Sequence, residues 1–325
     1  MNKKMKRWIF AATALLLIGG LLFVGVMTVA KWDFSKISTA KYETKEYEIE
    51  EAYHSISLSV GTANVILVPT DGEETRVVCY EEKKVTHAVS VENGTLTVAV
   101  QDARRWYDHI SFFSFGTTSL TVYLPAGAYG ALSVTGKTGD VTIPSDLSFT
   151  TVSVAASTGD VHLAASASGE VTLKASTGNL CVENVSVGAL TLSVSTGRVT
   201  VNGVACKGDV DVTVSTGKTS LTDVRCKSLA SGGNTGDLHL KNVVAAEGFS
   251  LVRSTGDITF DGCDAAELLV ETDTGDVTGS LLSDKVFLVS TDTGKKEVPE
   301  TVRGGKCKIS TDTGDVRITI ASQSE

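Results

Sequence analysis

Aromatic residues are scarce in this 325-residue chain, at 6% of the total, and prolines number only four. With so few large side chains, the 42% of hydrophobic residues suffices for a core but not for a wide one. Positive charge is also short: 29 Lys and Arg stand against 38 Asp and Glu, for a net charge of −9. That balance excludes nucleic acid as an expected partner. The five histidines, His54, His87, His109, His162 and His239, are scattered with no metal-ligand spacing along the chain. There is no G-x-S-x-G, no Walker loop and no dinucleotide fingerprint after a strand, so no catalytic constellation is expected.

One long apolar run is present, and it stands first. Lys3, Lys4, Lys6 and Arg7 precede Trp8–Ala30, 23 residues without a charge. As a helix this run is about 34 Å long, enough to span a bilayer. The basic flank predicts a cytoplasmic tail over 1–7, a transmembrane helix over 8–30 and the remainder outside the cytoplasm. The competing reading is a cleaved signal peptide ending near Thr28-Val29-Ala30, although signal cores are usually about 7–15 residues. The charged stretch 31–50 reads as a tether.

The rest is governed by a repeat. A Thr-Gly pair recurs with its glycine at Gly139, Gly159, Gly178, Gly197, Gly217, Gly236, Gly256, Gly275, Gly294 and Gly314, every 19 or 20 residues. Apolar residues recur two and four positions after most of these glycines, as at Val161 and Leu163 or Leu238 and Leu240, and seven before, as at Val152 and Leu229. Apolar residues two apart, with polar ones between, indicate strands. Asn184, Gly203, Asp223, Asn242 and Gly262, six after their markers, supply a second turn. Each period is thus one coil of strand, turn, strand, turn, with Thr-Gly at a corner where glycine accepts a positive φ. Stacked coils bury a continuous core, so the fold class expected is all-β. It is a parallel β-solenoid (β-helix) of about ten coils over 131–320, with a short tail at 321–325. Ten coils at about 4.8 Å make a rod of roughly 50 Å. Residues 51–130 alternate as strands without the repeat and are expected to cap the open end.

The strand-rich lead-in ending at "TVYLP", followed by the recurrent "STGDV", "NTGDL" and "DTGDV", resembles the bacterial β-strand-repeat family called "putative adhesins", a family of unknown function. The resemblance covers about Ala52 to Ile320. It implies the fold and a surface role, and it brings no catalytic residues.

Candidate sites are few. "RRWYDHISFFSFG" (104–116) concentrates Trp106, Tyr107, Phe112, Phe113 and Phe115, either a partner-binding patch or a plug over the first coil. In the last coils Asp273, Asp292 and Asp312 stand two before glycine, and Asp276 and Asp315 one after. Such a stacked acidic edge is either solvated or a weak calcium site. The other residues one after glycine, such as Asp140, Asp160, Asn179 and Arg198, read as a solvated ladder of weak charge pairs. Cys206 and Cys226, each nine after its marker, should be neighbours, as free thiols or as a disulfide. Taken together, a non-enzymatic envelope surface protein is expected, binding or sensing a cationic peptide or an envelope protein. The rival classes are a polysaccharide-active enzyme and a passive spacer.

Overall fold

In the computed structural model, which describes residues 3–29, 31–32, 41–104 and 117–321, the repeat becomes a parallel β-solenoid. Strand Ser186–Thr196 illustrates one coil. It runs to the corner at Gly197, the chain turns into Val199–Cys206, and Val210–Thr216 then begins the next coil directly beside Ser186–Thr196. The position five before the glycine forms a buried register column, Val154, Leu173, Leu192, Val212, Ser231, Leu251, Val270 and Ile309, apolar at every level but Ser231. The residues on either side of a column member along its strand, such as Asp211 and Thr213 around Val212, are exposed, which is the strand periodicity of the sequence made physical.

Both turns depend on residues that tolerate positive φ. The ten corner glycines have φ between +128° and +158°. At the second turn, Asn184, Asp223, Asn242, Gly203 and Gly262 all lie near φ +50° to +65°.

The core also takes in polar side chains that periodicity did not announce, Arg253 and Lys285 among them. Arg253 stands in an inward column three before Gly256 and is 2% exposed, with no carboxylate against it among the described residues. Its guanidinium donates to Ser231 Oγ at 2.9 Å, to Thr219 Oγ1 at 3.5 Å and to the Val252 carbonyl at 2.8 Å. Burial pulls its pKa down to about 10. Gly233, the preceding residue of that column, leaves the room the guanidinium occupies.

The coils do not stack in chain order at either end. Strand Gly305–Thr313, from the last repeat, pairs with Ile258–Thr274 on one side and with Lys285–Thr293 on the other. The final coil is therefore inserted between the two that precede it, and the outermost coil is Lys285–Thr293 with Lys296–Glu297. At the other end, Ser55–Val60 pairs with both Thr95–Asp102 and Gly127–Thr138, and Ala63–Thr70 pairs with both Thr118–Pro125 and Val141–Ile143. Residues 55–70 thus form a coil whose corner is Gly61-Thr62, sandwiched between later coils. Antiparallel strands Val85–Glu92, Thr75–Glu82 and Tyr42–Ile49 continue this end. Each exposed edge carries the residues that discourage further pairing: Glu43, Lys45 and Glu46 on one strand, Lys295, Lys296 and Pro299 at the other end. Covering the first and last coils denies them the fraying that ends a linear stack.

Engineered cross-links test this order. The outward residues Leu269 and Lys308 are in-register neighbours, and Lys308 separates Leu269 from Leu288. Leu269→Cys with Lys308→Cys should oxidise to an intramolecular disulfide, since neighbouring strands lie about 4.8 Å apart. Leu269→Cys with Leu288→Cys should not. Mobility on non-reducing gels distinguishes the two, and the reverse pattern would restore chain-order stacking.

Ahead of these strands, helix Lys3–Val29 is long and apolar enough to cross a membrane, and its apolar window is not buried against the rest of the chain.

Candidate functional site

The corner column is built from side chains that hold backbone. Asp140 Oδ1 accepts the Asp160 N–H at 2.8 Å, Asp160 Oδ1 accepts the Asn179 N–H at 2.7 Å, and Asn179 Oδ1 accepts the Arg198 N–H at 3.0 Å. Asn64 begins this ladder on Asp140. Asp237 serves Asp257, Asp257 serves Asp276, Asp276 serves Asp315 and Asp315 serves Lys295, in the transposed order of the last coils. The expected ladder of weak charge pairs is instead a ladder of Asx oxygens on backbone amides, which is why Asp and Asn dominate the column. Asp160→Ala should cost about 1–2 kcal/mol in chemical unfolding, as for a lost cap, while Asp160→Asn should keep most of it. Equal losses in both variants would show that charge, not the accepting oxygen, matters.

This ladder places the acidic edge. Asp276 and Asp315 are occupied by the amides just named. Asp273 and Asp292 flank Asp312 in the stacking order, and all three are exposed. These five aspartates do not enter either of the two metal-compatible groups found among the described residues. The aromatic residues Trp106, Tyr107, Phe112, Phe113 and Phe115 lie outside the described residues. Their flank is described: Arg104 makes a two-pronged contact with Asp102, at 2.9 and 2.6 Å. Cys206 and Cys226 are free, buried and adjacent through the register Ala205↔Arg225.

Sequence spacing missed three features. The first is an open groove of about 640 Å³ across the outer face of five neighbouring strands. Its floor is made of small and apolar residues, Ala230, Gly248, Ser250 and Leu269. Asp209 and Asp211 stand at one end, Lys306 and Lys308 at the other, with Glu247 and Glu267 along its rim. Register irregularities between Cys226 and Ser228 and between Ala245 and Gly248 adjoin this depression.

The second is a buried network near the antiparallel end. Glu81 accepts both the His87 N–H, at 2.7 Å, and a contact from His87 Nδ1, at 2.8 Å, while its other oxygen lies 2.8 Å from Lys45 Nζ. Cys79 is adjacent, its thiol pushed up to about 12 chiefly by burial. Among the described residues, His87 Nε2 is buried without a partner. Lys45, held by Glu81, is raised above its ordinary value. The ammonium already neutralises the carboxylate, so this group works as a packed ion pair.

The third lies on the outer face. His162 and Cys181 are in-register neighbours on Val161–Leu163 and Leu180–Glu183, and Glu183 stands two residues beyond Cys181 on the same side. Glu183 Oε2 is 3.4 Å from His162 Nε2, and Glu183 Oε1 accepts from Cys181 Sγ at 3.3 Å. Partial burial, then the carboxylate, raises the Cys181 thiol to about 11. The thiol and the imidazole together lower the Glu183 carboxyl. The signal was present: His162 and Cys181 each stand three after a marker glycine.

Solved structures that the chain resembles include one described as a putative adhesin from Parabacteroides distasonis, at 13% identity and a TM-score of 0.48, covering 87% of this chain and 98% of that one. Another, described as a putative lipid binding protein from the same organism, has 12% identity, TM-score 0.46 and coverage of 87% and 98%. A putative adhesin from Bacteroides fragilis has 15% identity, TM-score 0.35 and coverage of 86% and 97%. No curated protein matches. Identities and scores this low leave the assignment to the family match, which spans residues 53–214 and again 206–325. Together the two consecutive matches span residues 53–325, and the chain belongs to the toastrack DUF4097 family.

Proposed function

We propose that this chain is a membrane-tethered envelope protein that binds or senses, without catalysis, a cationic peptide or a protein partner along its solenoid. The observation that carries the reading is the groove. It is shallow and elongated, with a floor of small residues and a rim of Glu247 and Glu267 beside Asp209 and Asp211. That shape suits an extended peptide better than a small metabolite. The net charge of −9 attracts cations from a distance and raises encounter rates with basic partners. The apolar helix Lys3–Val29, with Lys3, Lys4, Lys6 and Arg7 at its start, supports an anchor whose N-terminus is cytoplasmic and whose repeats are outside. At the acidic edge, Asp273, Asp292 and Asp312 are solvated, and calcium binding there is weak at most.

The test uses the full chain in nanodiscs of neutral lipid. An Arg- and Lys-rich peptide should bind, and binding should weaken steeply as salt is raised, because exposed charges are screened over about 8 Å at physiological ionic strength. Asp211→Lys with Glu247→Lys should weaken it further. Peptide binding that ignores both changes removes the groove from the account. Release of soluble sugars from cell-wall polysaccharide would favour the enzyme class. Failure to bind peptide or any envelope protein would leave the spacer.

A further inference from the structure

Cys181 is the one cysteine of six that is not buried. It lies beside a histidine and a glutamate contributed by the same two neighbouring strands, and no Lys or Arg pairs with that glutamate among the described residues. The side-chain donor atoms of His162, Cys181 and Glu183 lie within 4.8 Å of one another. Donors bonded to zinc at about 2.0–2.3 Å with tetrahedral angles stand roughly 3.5 Å apart, so the three need only small rotations to converge. We propose that His162 Nε2, Cys181 Sγ and a Glu183 carboxylate oxygen form a three-ligand site for zinc, with the fourth position open to water.

The donor set selects the metal. A thiol and an imidazole suit zinc and disfavour calcium or magnesium, which prefer oxygen. On coordination the Cys181 thiol gives its proton to solvent, and thiolate plus carboxylate then balance the dication. No electron moves. The strands fix the spacing: His162 and Cys181 are held one strand apart by the ladder, and Glu183 is two residues along the same strand as Cys181. Contrast the buried group of Cys79, Glu81 and His87, where Lys45 Nζ sits 2.8 Å from the carboxylate and opposes a second cation. His162 and Glu183 are 44% and 41% exposed, so metal reaches the site from solvent without opening the core.

Cobalt titration of the full chain in detergent micelles reads the site directly. The expected result is one equivalent bound, with a thiolate-to-cobalt charge-transfer band in the near ultraviolet, and displacement by stoichiometric zinc. Cys181→Ser should abolish that band. Its zinc affinity should fall by more than the roughly 10–100-fold lost with an outer hydrogen-bonding partner. His162→Ala and Glu183→Gln should each weaken zinc at least about ten-fold by the same comparison, and all three variants should keep the metal-free unfolding transition. His87→Ala should bind as the unmodified chain does. Absence of the band in the unmodified chain overturns the proposal. So does a band that survives Cys181→Ser and disappears in Cys79→Ser, which would place the metal in the buried group.

Discussion

Val212→Asp is expected to abolish cooperative folding of the central coils, while Thr213→Asp next to it shifts the melting temperature by only about 1 °C. The two residues are adjacent on one strand and differ in the face they occupy. Val212 is fully buried, between Leu192 and Ser231 in the inward column, whereas Thr213 is exposed. The buried cation beside its column, Arg253, is already committed to the neighbouring Ser231 Oγ, so a carboxylate at 212 must either be buried charged or take up a proton. Either course costs several kcal/mol, on the order of a small domain's whole stability. Because each coil rests only on its neighbours, the damage spreads along the stack. Leu192→Asp and Ser193→Asp repeat the contrast one coil away. Thermal unfolding followed by circular dichroism reads it, and equal damage from both faces would mean that the register is wrong.

The second large effect belongs to the corner. Gly217 has φ +141°, and a Cβ built there would overlap the Gly197 carbonyl oxygen. Backbone strain of this kind costs about 1–3 kcal/mol, and the overlap adds to it because the opposing atom is backbone that cannot step aside. Gly217→Ala is therefore expected to lower stability by roughly 3 kcal/mol or more. Gly232→Ala supplies the control: no atom lies within 4 Å of its Cβ, and its φ is outside the positive range. That change should be neutral or stabilising by up to about 1 kcal/mol. Unfolding in guanidinium compares them. A Gly217→Ala chain as stable as Gly232→Ala would show that coil-to-coil contact at the corner is looser than the geometry says.

These contrasts rest on features legible in the sequence, because solenoid coils are specified locally. A Thr-Gly corner, an Asn or Gly at the second turn and apolar residues two apart fix one coil with no knowledge of the others. What stacks on what is a different matter. Nothing in the phrase "STDTGDVRITI" says that its coil slides between its two predecessors, since every coil presents the same kind of edge. The nearest hint was the coil around Gly294. It puts Lys296 where its neighbours put Val277 or Val316, and follows it with Pro299, and both residues suit an outer edge. The Asx ladder was hidden for another reason. Aspartate beside glycine on a surface is usually read by its charge, and here its accepting oxygen is what the neighbouring amide uses.

The metal-compatible trio shows the same limit from the functional side. Ligand-spacing rules look for donors a few residues apart, and His162 and Cys181 are 19 apart. Only when distance is counted in coils, with the marker glycines as the ruler, do they become neighbours. The groove had no linear signal at all, because its floor comes from Ala230, Gly248, Ser250 and Leu269, one or two residues from each of several strands.

The proposed function requires that a retained helix display these coils outside a membrane. Protease added to intact cells measures this most directly, with the fragments sized and their N-termini sequenced. The account predicts that the solenoid is removed, leaving a membrane-bound stub that retains the Lys3–Val29 helix. Solenoid protected from protease until the membrane is broken, or mature chain beginning near Lys31, would contradict it.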